Sequence, residues 1–425
     1  MELLRTLLLW MSFAILAFVL FAGLLRLLYR TRLDFKLADA PPLNAPEGVT
    51  ALMALSGSLP TSGRCTGFWG EPQANQDCIT EAIKKAEKSI DFETFDITPG
   101  QWADEFAAVL TAAVARGVRV RLIVDAFGVQ RVPKTYWHQL KVAGIAVKFF
   151  HAFDWRLPFR YNTRTHCKLL VIDGKEAYTG GQGISNDWDG DKASRDGERW
   201  LDLGIRLEGD AVGVLERVFM QHWAYVGGTV ALTGLGLPAR TPVTPNILVT
   251  PSDPTIVNSP VRALFQTAIH LARERLWIAS PYFLPDRDAR AALVAAYRRG
   301  VDVRILCVGP YNDHETVYRA SRELYEELLE GDIPLFEYQP AMMHAKVLLA
   351  DHWVSLGSTN FDPRSFFRNV ELNVTVNDAA LLDQVEGFFK QAFAKSERID
   401  LTRWRKRHLA GQMLGRVSLM LRSQL

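Results

Sequence analysis

Two octets constrain this chain more than any other feature. HCKLLVID at residues 166–173 and HAKVLLAD at residues 344–351 place His, Lys and Asp at identical spacing around an apolar run. Their surroundings repeat as well. AIKKAEKSIDFETFDITP (82–99) aligns without gaps on AIHLARERLWIASPYFLP (268–285), and ARGVRVRLIV (115–124) matches RRGVDVRILC (298–307). The chain is an internal duplication whose period is far too long for a solenoid, so its fold must be one that can be built twice and then joined.

Each half reads as helix, strand, helix, strand. Ala82, Ile83 and Ala86 keep a helical face, Ile90 to Phe95 is strand-like, Asp104 to Ala115 is helical, and Val118 to Val124 is a second strand. That alternation predicts α/β layers, two units packing side by side into one two-lobed body. With 425 residues, 48% of them apolar, the chain has material for about two to three domains. The octets fall on predicted strands, because KLLVI and KVLLA are apolar and end at turn-prone Asp173-Gly174 and Asp351-His352. Side chains alternate along a strand, so His166 and Lys168 share one face, as do His344 and Lys346, while Cys167 points the other way as a small apolar filler. Asp173 and Asp351 fall at the turns, where they brace a loop or pair with a cation.

Two histidines beside two lysines suit phosphoryl transfer without a metal. One imidazole attacks phosphorus, the other protonates the leaving alkoxide, and the ammonium groups offset charge on the oxygens. No H-E-x-x-H or Cys-pair spacing occurs, so the expected site has neither metal nor cofactor. GGQGIS (180–185) and GSTNFD (357–362) follow their octets at corresponding places and supply tight turns with amide or hydroxyl groups. A formal charge of +2 argues for neither a nucleic-acid nor an acidic partner. Four cysteines are too few for a disulfide scaffold, which leaves a Cys65–Cys78 bridge open.

Outside the duplication, Leu7 to Leu25 carries no charged residue and is about as long as a bilayer crossing at ~1.5 Å per residue. It reads as a membrane anchor over residues 1–32. Arg26, Arg30, Arg32 and Lys36 beyond it put the main body in the cytoplasm, a cleaved signal peptide being the competing reading. Proline-punctuated linkers are expected at 33–48 and 237–258, bounding domains at 49–236 and 259–400. The tail at 401–425 spaces Leu409, Met413, Val417 and Leu421 four apart behind Arg403, Arg405, Lys406 and Arg407. That pattern fits an interfacial helix on anionic lipid or a basic helix packed on the protein itself.

The repeated H-x-K-x-x-x-x-D resembles the signature of the phospholipase D superfamily, and within it the bacterial cardiolipin synthases, over roughly residues 45–425. RYNTRTHCKLLVIDGKEAYTGGQGIS (160–185), SPYFLPD (280–286) and MMHAKVLLADHWVSLGSTNFDPRSFFRNVELN (342–373) carry the resemblance. It implies two phospholipase D-like α/β lobes with mixed sheets, related by a pseudo-twofold axis, with the active site at their seam. It also implies ping-pong phosphatidyl transfer through a phosphohistidine. By that resemblance the catalytic set is His166, Lys168, Asp173, His344, Lys346 and Asp351. Asp202 and Glu371 each orient the histidine of the opposing half, and Asn360 and Ser358 meet the substrate phosphate. One departure stands out: Gly183, with Gln182 beside it, occupies the place of the first signature's usual Asn.

The activity implied is that of a phosphatidyltransferase in the bacterial inner membrane, anchored by one span. It joins two phosphatidylglycerols, or draws on phosphatidylethanolamine, and needs no nucleic acid; the oligomeric state is not written in these patterns. The alternatives are a phospholipase D hydrolase releasing phosphatidic acid, a membrane-bound nuclease, and a catalytically silent lipid-binding scaffold.

Overall fold

The computed structural model describes residues 2–28, 35, 37–156, 158–190, 192–230, 244–253, 259–420 and 422. The chain opens with α1 (Glu2–Leu28), α2 (Pro46–Ser56) and β1 (Leu59–Thr61). The first lobe then runs β2 (Arg64–Trp69), α3 (Pro72–Lys85), β3 (Ser89–Thr94), α4 (Gln101–Ala115), β4 (Arg119–Asp125), α5 (Lys134–Val142), β5 (Ala146–Phe150), β6 (Leu169–Ile172), β7 (Glu176–Gly180), β8 (Gly204–Glu208) and α6 (Asp210–Tyr225). The second runs β9 (Ile247–Ser252), α7 (Pro260–Leu271), β10 (Arg275–Ser280), α8 (Arg287–Arg298), β11 (Asp302–Cys307), α9 (Glu315–Arg322), α10 (Tyr325–Glu330), β12 (Leu335–Tyr338), β13 (Val347–Ala350), β14 (Trp353–Gly357), α11 (Pro363–Phe367), β15 (Glu371–Val376) and α12 (Ala379–Ala394). It closes with β16 (Ser396–Arg398), α13 (Leu401–Arg405) and α14 (Leu409–Met420).

The duplication is visible strand for strand. One sheet has the order β2-β8-β7-β6-β3-β4-β5, and the other repeats it as β9-β15-β14-β13-β10-β11-β12, with β1 and β16 added at its edges. Both are mixed, with parallel pairing among β3, β4 and β5 and among β10, β11 and β12, and antiparallel pairing elsewhere. Period two sorts the apolar residues into layers. Leu169 and Val171 of β6 join Val347 and Leu349 of β13 in one core shared by both sheets, into which α6 and α12 also pack. Leu170 and Ile172 face outward under α3 and α4, and Leu348 and Ala350 under α7 and α8. Because the central layer belongs to both lobes, neither sheet covers its inner face alone.

Two boundaries differ from the sequence reading. Residues 46–61 precede the first sheet in the chain yet belong to the second, since α2 packs on α7 and β1 pairs with β9. The proline-rich stretch expected as a linker at 237–258 contains β9, which lies between β1 and β15; its residues 237–243 and 254–258 lie outside those described, as do 33, 34 and 36 of the first linker. Pro251 is tolerated because β1 pairs only with Ile247 to Val249, so the missing N–H falls beyond that neighbour's reach.

The octets also sit one step earlier than expected. β6 begins at Leu169 and β13 at Val347, so His166, Lys168, His344 and Lys346 lie in extended segments leading into the strands. Those segments are held by the opposite lobe: Thr165 bridges to Val370 and Met343 to Leu201. The His166 N–H donates to the Val370 carbonyl at 2.8 Å, and the His344 N–H to the Leu201 carbonyl at 2.7 Å. Each histidine backbone is thus anchored to the other half.

α1 forms over most of the expected span, and its described side chains from Leu7 to Leu24 are exposed. Among the described residues no helix is long and apolar enough to cross a membrane; the side chains of Leu8, Ala22 and Leu25 lie outside that set, so this does not cover all of Leu7–Leu25. In the tail, α14 packs on α9, with Gly415 against Glu323, and leaves Leu409, Met413 and Val417 exposed; Leu421 lies outside the described residues. Three basic residues before it are paired, Arg403 with Glu397, Arg405 with Glu326 and Glu330, and Arg407 with Glu323. All four cysteines are free.

Candidate active site

The crossed anchoring of the two lead-in segments carries the side chains with it. Val370 precedes Glu371 at the start of β15, and Leu201 precedes Asp202 just before β8, so the carboxylate beside each histidine comes from the other lobe. His166 Nδ1 lies 2.9 Å from the Ser358 carbonyl and 3.2 Å from Glu371 Oε2. A carbonyl only accepts, so Nδ1 carries the proton and Nε2 keeps a lone pair. His344 Nδ1 lies 2.8 Å from Asp202 Oδ2, which fixes the same tautomer.

The two half-sites diverge beyond that. Glu371 also accepts from the Ser358 hydroxyl, and Phe95 presents its ring to His166 at 5.3 Å and to the Lys168 ammonium at 5.7 Å. Asp202 is held instead by the Trp188 indole N–H at 2.9 Å, while Trp188 and Trp200 pack around His344 at 5.1 and 5.8 Å. Gly181 stands where Ser358 stands in the second half, and a Cβ there would meet Asp202 Oδ1 at 2.2 Å. The Lys346 ammonium lies 2.8 Å from His344 Nε2 and 2.9 Å from its Nδ1, and donates to the His344 carbonyl at 2.6 Å, whereas Lys168 donates to the His166 carbonyl at 3.3 Å. Among the described residues no hydrogen bond engages His166 Nε2.

The electrostatics follow from burial. Desolvation and the adjacent Lys346 push His344 down to about 4. Desolvation, with Lys168 adding repulsion, pushes Lys346 down to about 7, although Asp202 opposes the shift. His166 is lowered by burial and by Lys168, against the pull of Glu371. Burial raises Asp202, but His344, Lys346 and the Trp188 indole more than offset it and hold it ionised.

Not every motif residue reaches this site. Asp173 and Asp351, grouped with the catalytic set on the signature, sit at the far ends of β6 and β13 with left-handed backbones. Asp173 accepts from the backbone N–H groups of Glu87, Lys88 and Ser89, and Asp351 from those of Arg273, Glu274 and Arg275. Each therefore ties the start of β3 or β10 to the octet hairpin, the loop-bracing role. The hairpin after β6 is one residue longer than that after β13, the closing pairs being Ile172–Glu176 and Ala350–Trp353. Ser358 is in the site, but its hydroxyl is committed to Glu371. Asn360 is buried with its side-chain carbonyl unpaired. Gln182 aligns with Thr359 rather than Asn360; its carbonyl accepts from Asn75 at 2.8 Å and its side-chain NH2 is buried and unpaired. Asp96 fills that space instead: a Cβ on Gly183 would meet its Oδ1 at 2.2 Å. Phe95, Asp96, Trp188 and Trp200 were missed by sequence reasoning; the only signal was two tryptophans following the first signature's glycine turn.

One group of metal-ligating types lies behind the site among the described residues. Ligand atoms of Glu93, Cys167 and His222 lie within 4.8 Å of one another. Its carboxylate already accepts from the Thr165 hydroxyl at 2.5 Å and from His222 Nδ1 at 2.7 Å. Burial would lower His222, but Glu93 outweighs it and the imidazole is raised, while burial holds the Cys167 thiol neutral. The set is a buried ion pair joining α6 to β3 under the catalytic segment.

Residues 79–193 and 265–393, one stretch from each lobe, match the family described as cardiolipin synthase, PLD-like domain. This chain belongs to that family. It is 32% identical over 338 residues to Cardiolipin synthase 2 of Bacillus anthracis, covering 78% of this chain and 65% of that protein. It is also 32% identical over 347 residues to Cardiolipin synthase A of Pseudomonas syringae pv. syringae, covering 80% of this chain and 71% of the relative. The chain thus spans about two thirds of these relatives' lengths. The fold is shared with phosphatidylserine synthase of Haemophilus influenzae Rd KW20, with a TM-score of 0.70 at 14% identity over 89% of this chain and all of that one. Each matched stretch contains one octet, and the seam between them is the candidate active site.

Proposed function

We propose that this chain is a membrane-anchored phosphatidyltransferase that makes cardiolipin from two phosphatidylglycerols. The observation that carries the reading is the crossed pairing of each buried histidine with a carboxylate of the other lobe, His166 with Glu371 and His344 with Asp202, beside two buried lysines. His166 is the nucleophile, because its Nε2 is unengaged while the Lys346 ammonium sits against both ring nitrogens of His344.

In the first step His166 Nε2 bonds to phosphorus, the P–O bond to the glycerol headgroup breaks, and His344 delivers a proton to the departing oxygen. Burial and Lys346 by themselves keep His344 neutral; the anionic diester supplies the charge that lets it hold this proton, relayed from the Lys346 ammonium against its ring. In the second step His344 takes the proton from the hydroxyl of a second phosphatidylglycerol, the new P–O bond forms, and the P–N bond breaks. Lys168, Lys346 and the Asn360 amide hold the phosphoryl oxygens. With lysines offsetting the charge, chelators leave activity in place; a loss restored by a divalent ion counts against this arrangement.

The exposed apolar side chains of α1 support anchoring, and the apolar edge of α14 supports contact with the same surface. α14 touches α1, and its Leu419 joins Val317, Ala320 and Leu324 of the α9 region against Tyr282, so an apolar path leads toward the seam. The deciding experiment incubates the purified, detergent-solubilised protein with phosphatidylglycerol alone and resolves the products by mass spectrometry. Cardiolipin with glycerol supports the reading. Phosphatidic acid alone replaces it with hydrolysis, and no lipid product overturns it.

A further inference from the structure

The exchange of side chains between positions 96 and 183 has no counterpart in the second half. By the internal alignment Asp96 corresponds to Tyr282, and Gly183 to Asn360. The second half thus keeps an amide beside a tyrosine whose hydroxyl donates to Asp313 at 2.7 Å. The first half has no side chain at 183 and a carboxylate in the vacated space, its Oδ1, Cγ and Oδ2 lying 2.2 to 2.5 Å from where a Cβ would stand. The placement is built into the backbone. Ile97 bridges to Ile184, the Ile184 N–H donates to the Asp96 carbonyl at 3.2 Å, and the Thr98 N–H donates to the Ile184 carbonyl at 3.0 Å. These bonds hold residue 96 directly against residue 183. No other side chain among the described residues hydrogen-bonds the Asp96 carboxyl, which desolvation raises against the opposing pull of Lys168, His166 and Lys346.

An amide there would donate to a phosphoryl oxygen. A carboxylate accepts and repels an anionic phosphate, so its partner in the site is a group that brings a proton. The reaction proposed above supplies one such group beside the phosphorus, the hydroxyl of the incoming alcohol. Lys168 and Lys346 on the same side disfavour a cationic headgroup such as an ammonium. We propose that Asp96, seated in the space opened by Gly183, holds a second hydroxyl of the acceptor polyol beside the attacking one and so selects a polyol headgroup over water once the phosphohistidine has formed. This rests on the phosphatidyltransferase reading and deepens it by assigning the acceptor side of the site. The carboxylate accepts from a hydroxyl next to the attacking one, and the attacking hydroxyl's own proton passes to His344 as before.

The test uses the full-length protein in detergent with phosphatidylglycerol as donor and radiolabelled glycerol, at varied concentration, as a soluble acceptor. Labelled phosphatidylglycerol reports transfer and phosphatidic acid reports capture by water. Both arise from one intermediate, so their ratio is independent of donor binding and of the fraction of enzyme folded. Asp96→Asn is expected to lower the transfer-to-hydrolysis ratio at fixed glycerol by ~10-fold or more, the scale of replacing a charged acceptor by a neutral one. Asp96→Ala is expected to lower it further. An unchanged ratio in both variants, with the wild type active, overturns the assignment of Asp96 and leaves the transferase reading standing. So does a slower reaction at an unchanged ratio, which reduces Asp96 to electrostatic support of Lys168. A wild-type enzyme that yields phosphatidic acid and no labelled lipid overturns the transferase reading and this inference with it.

Discussion

The two half-sites carry the same His and Lys on the same lead-in segment and support them differently. His166 is backed by a long carboxylate, Glu371, with the Ser358 hydroxyl and carbonyl sharing the load. His344 is backed by a short one, Asp202, with a glycine in place of the serine and an indole N–H as the second donor. Behind them the contrast continues. The first half buries the Glu93–His222 ion pair, where the position aligned with Glu93 in the second half is Ala279. A duplicated motif therefore fixes which groups line the seam, and its unduplicated surroundings set them apart: one imidazole with an unengaged Nε2, the other with an ammonium against its ring.

The largest effect that can break this comparison is loss of a histidine. His166→Ala is expected to lower turnover by about 10⁴-fold or more, and His344→Ala by about 10²–10⁴-fold, with folding intact by circular dichroism. A donor with a p-nitrophenol leaving group needs no acid to depart. On it His344→Ala should release one equivalent of p-nitrophenol in a burst and His166→Ala none; the reverse pattern would exchange the two roles.

Lys346→Met comes next, with turnover falling by about 10³-fold while thermal stability rises. The sign follows from the pKa. Lys346 is lowered from 10.5 to about 7 on folding, so burying the ammonium costs stability fully below pH 7, and the cost fades as pH climbs toward 10.5. The gain in melting temperature should be larger at pH 7 than at pH 10, and equal gains would show that Lys346 is not the destabilising group.

The carboxylates sharpen the contrast. In Glu371→Gln the Ser358 carbonyl still fixes the His166 tautomer, so kcat should fall only ~10-fold. In Asp202→Asn no second acceptor holds His344 Nδ1 and the fall should reach about 10²–10³-fold. Equal losses would mean that Ser358 contributes nothing to orientation.

Two smaller effects test the parts outside the chemistry. Asp351→Asn should destabilise by about 2–3 kcal/mol and the less buried Asp173→Asn by about 1 kcal/mol in urea titrations, with kcat per folded molecule unchanged. His222 has a raised folded pKa, so its pairing with Glu93 stabilises fully below the unfolded value of 6.5, and that contribution is lost as pH rises through the folded value. His222→Gln should flatten this dependence, and a mutant with the wild-type slope would point to another group.

Much of this was readable along the chain because it is periodic. The apolar alternation of KLLVI and KVLLA put Leu169, Val171, Val347 and Leu349 on one face and Leu170, Ile172, Leu348 and Ala350 on the other, as the layers show. The strand β9 was hidden by the prolines around it, and the place of β1 by its nearness in sequence to the first lobe, since local punctuation says nothing of a partner about 190 residues away. Asp173 and Asp351 were correctly placed at turns by their parity, while the family signature alone drew them toward catalysis.

The sequence by itself determined that two α/β units would each contribute one histidine and one lysine, because a duplicated spacing and strand periodicity are local properties of the chain. Only the tertiary structure decided that each histidine is held by the backbone and carboxylate of the other lobe, that Lys346 occupies one imidazole and leaves the other open, and that Asp96 fills the space over Gly183. Those facts depend on which surfaces are pressed together and dried, and desolvation and through-space charge are set by distance in the fold rather than by separation along the chain.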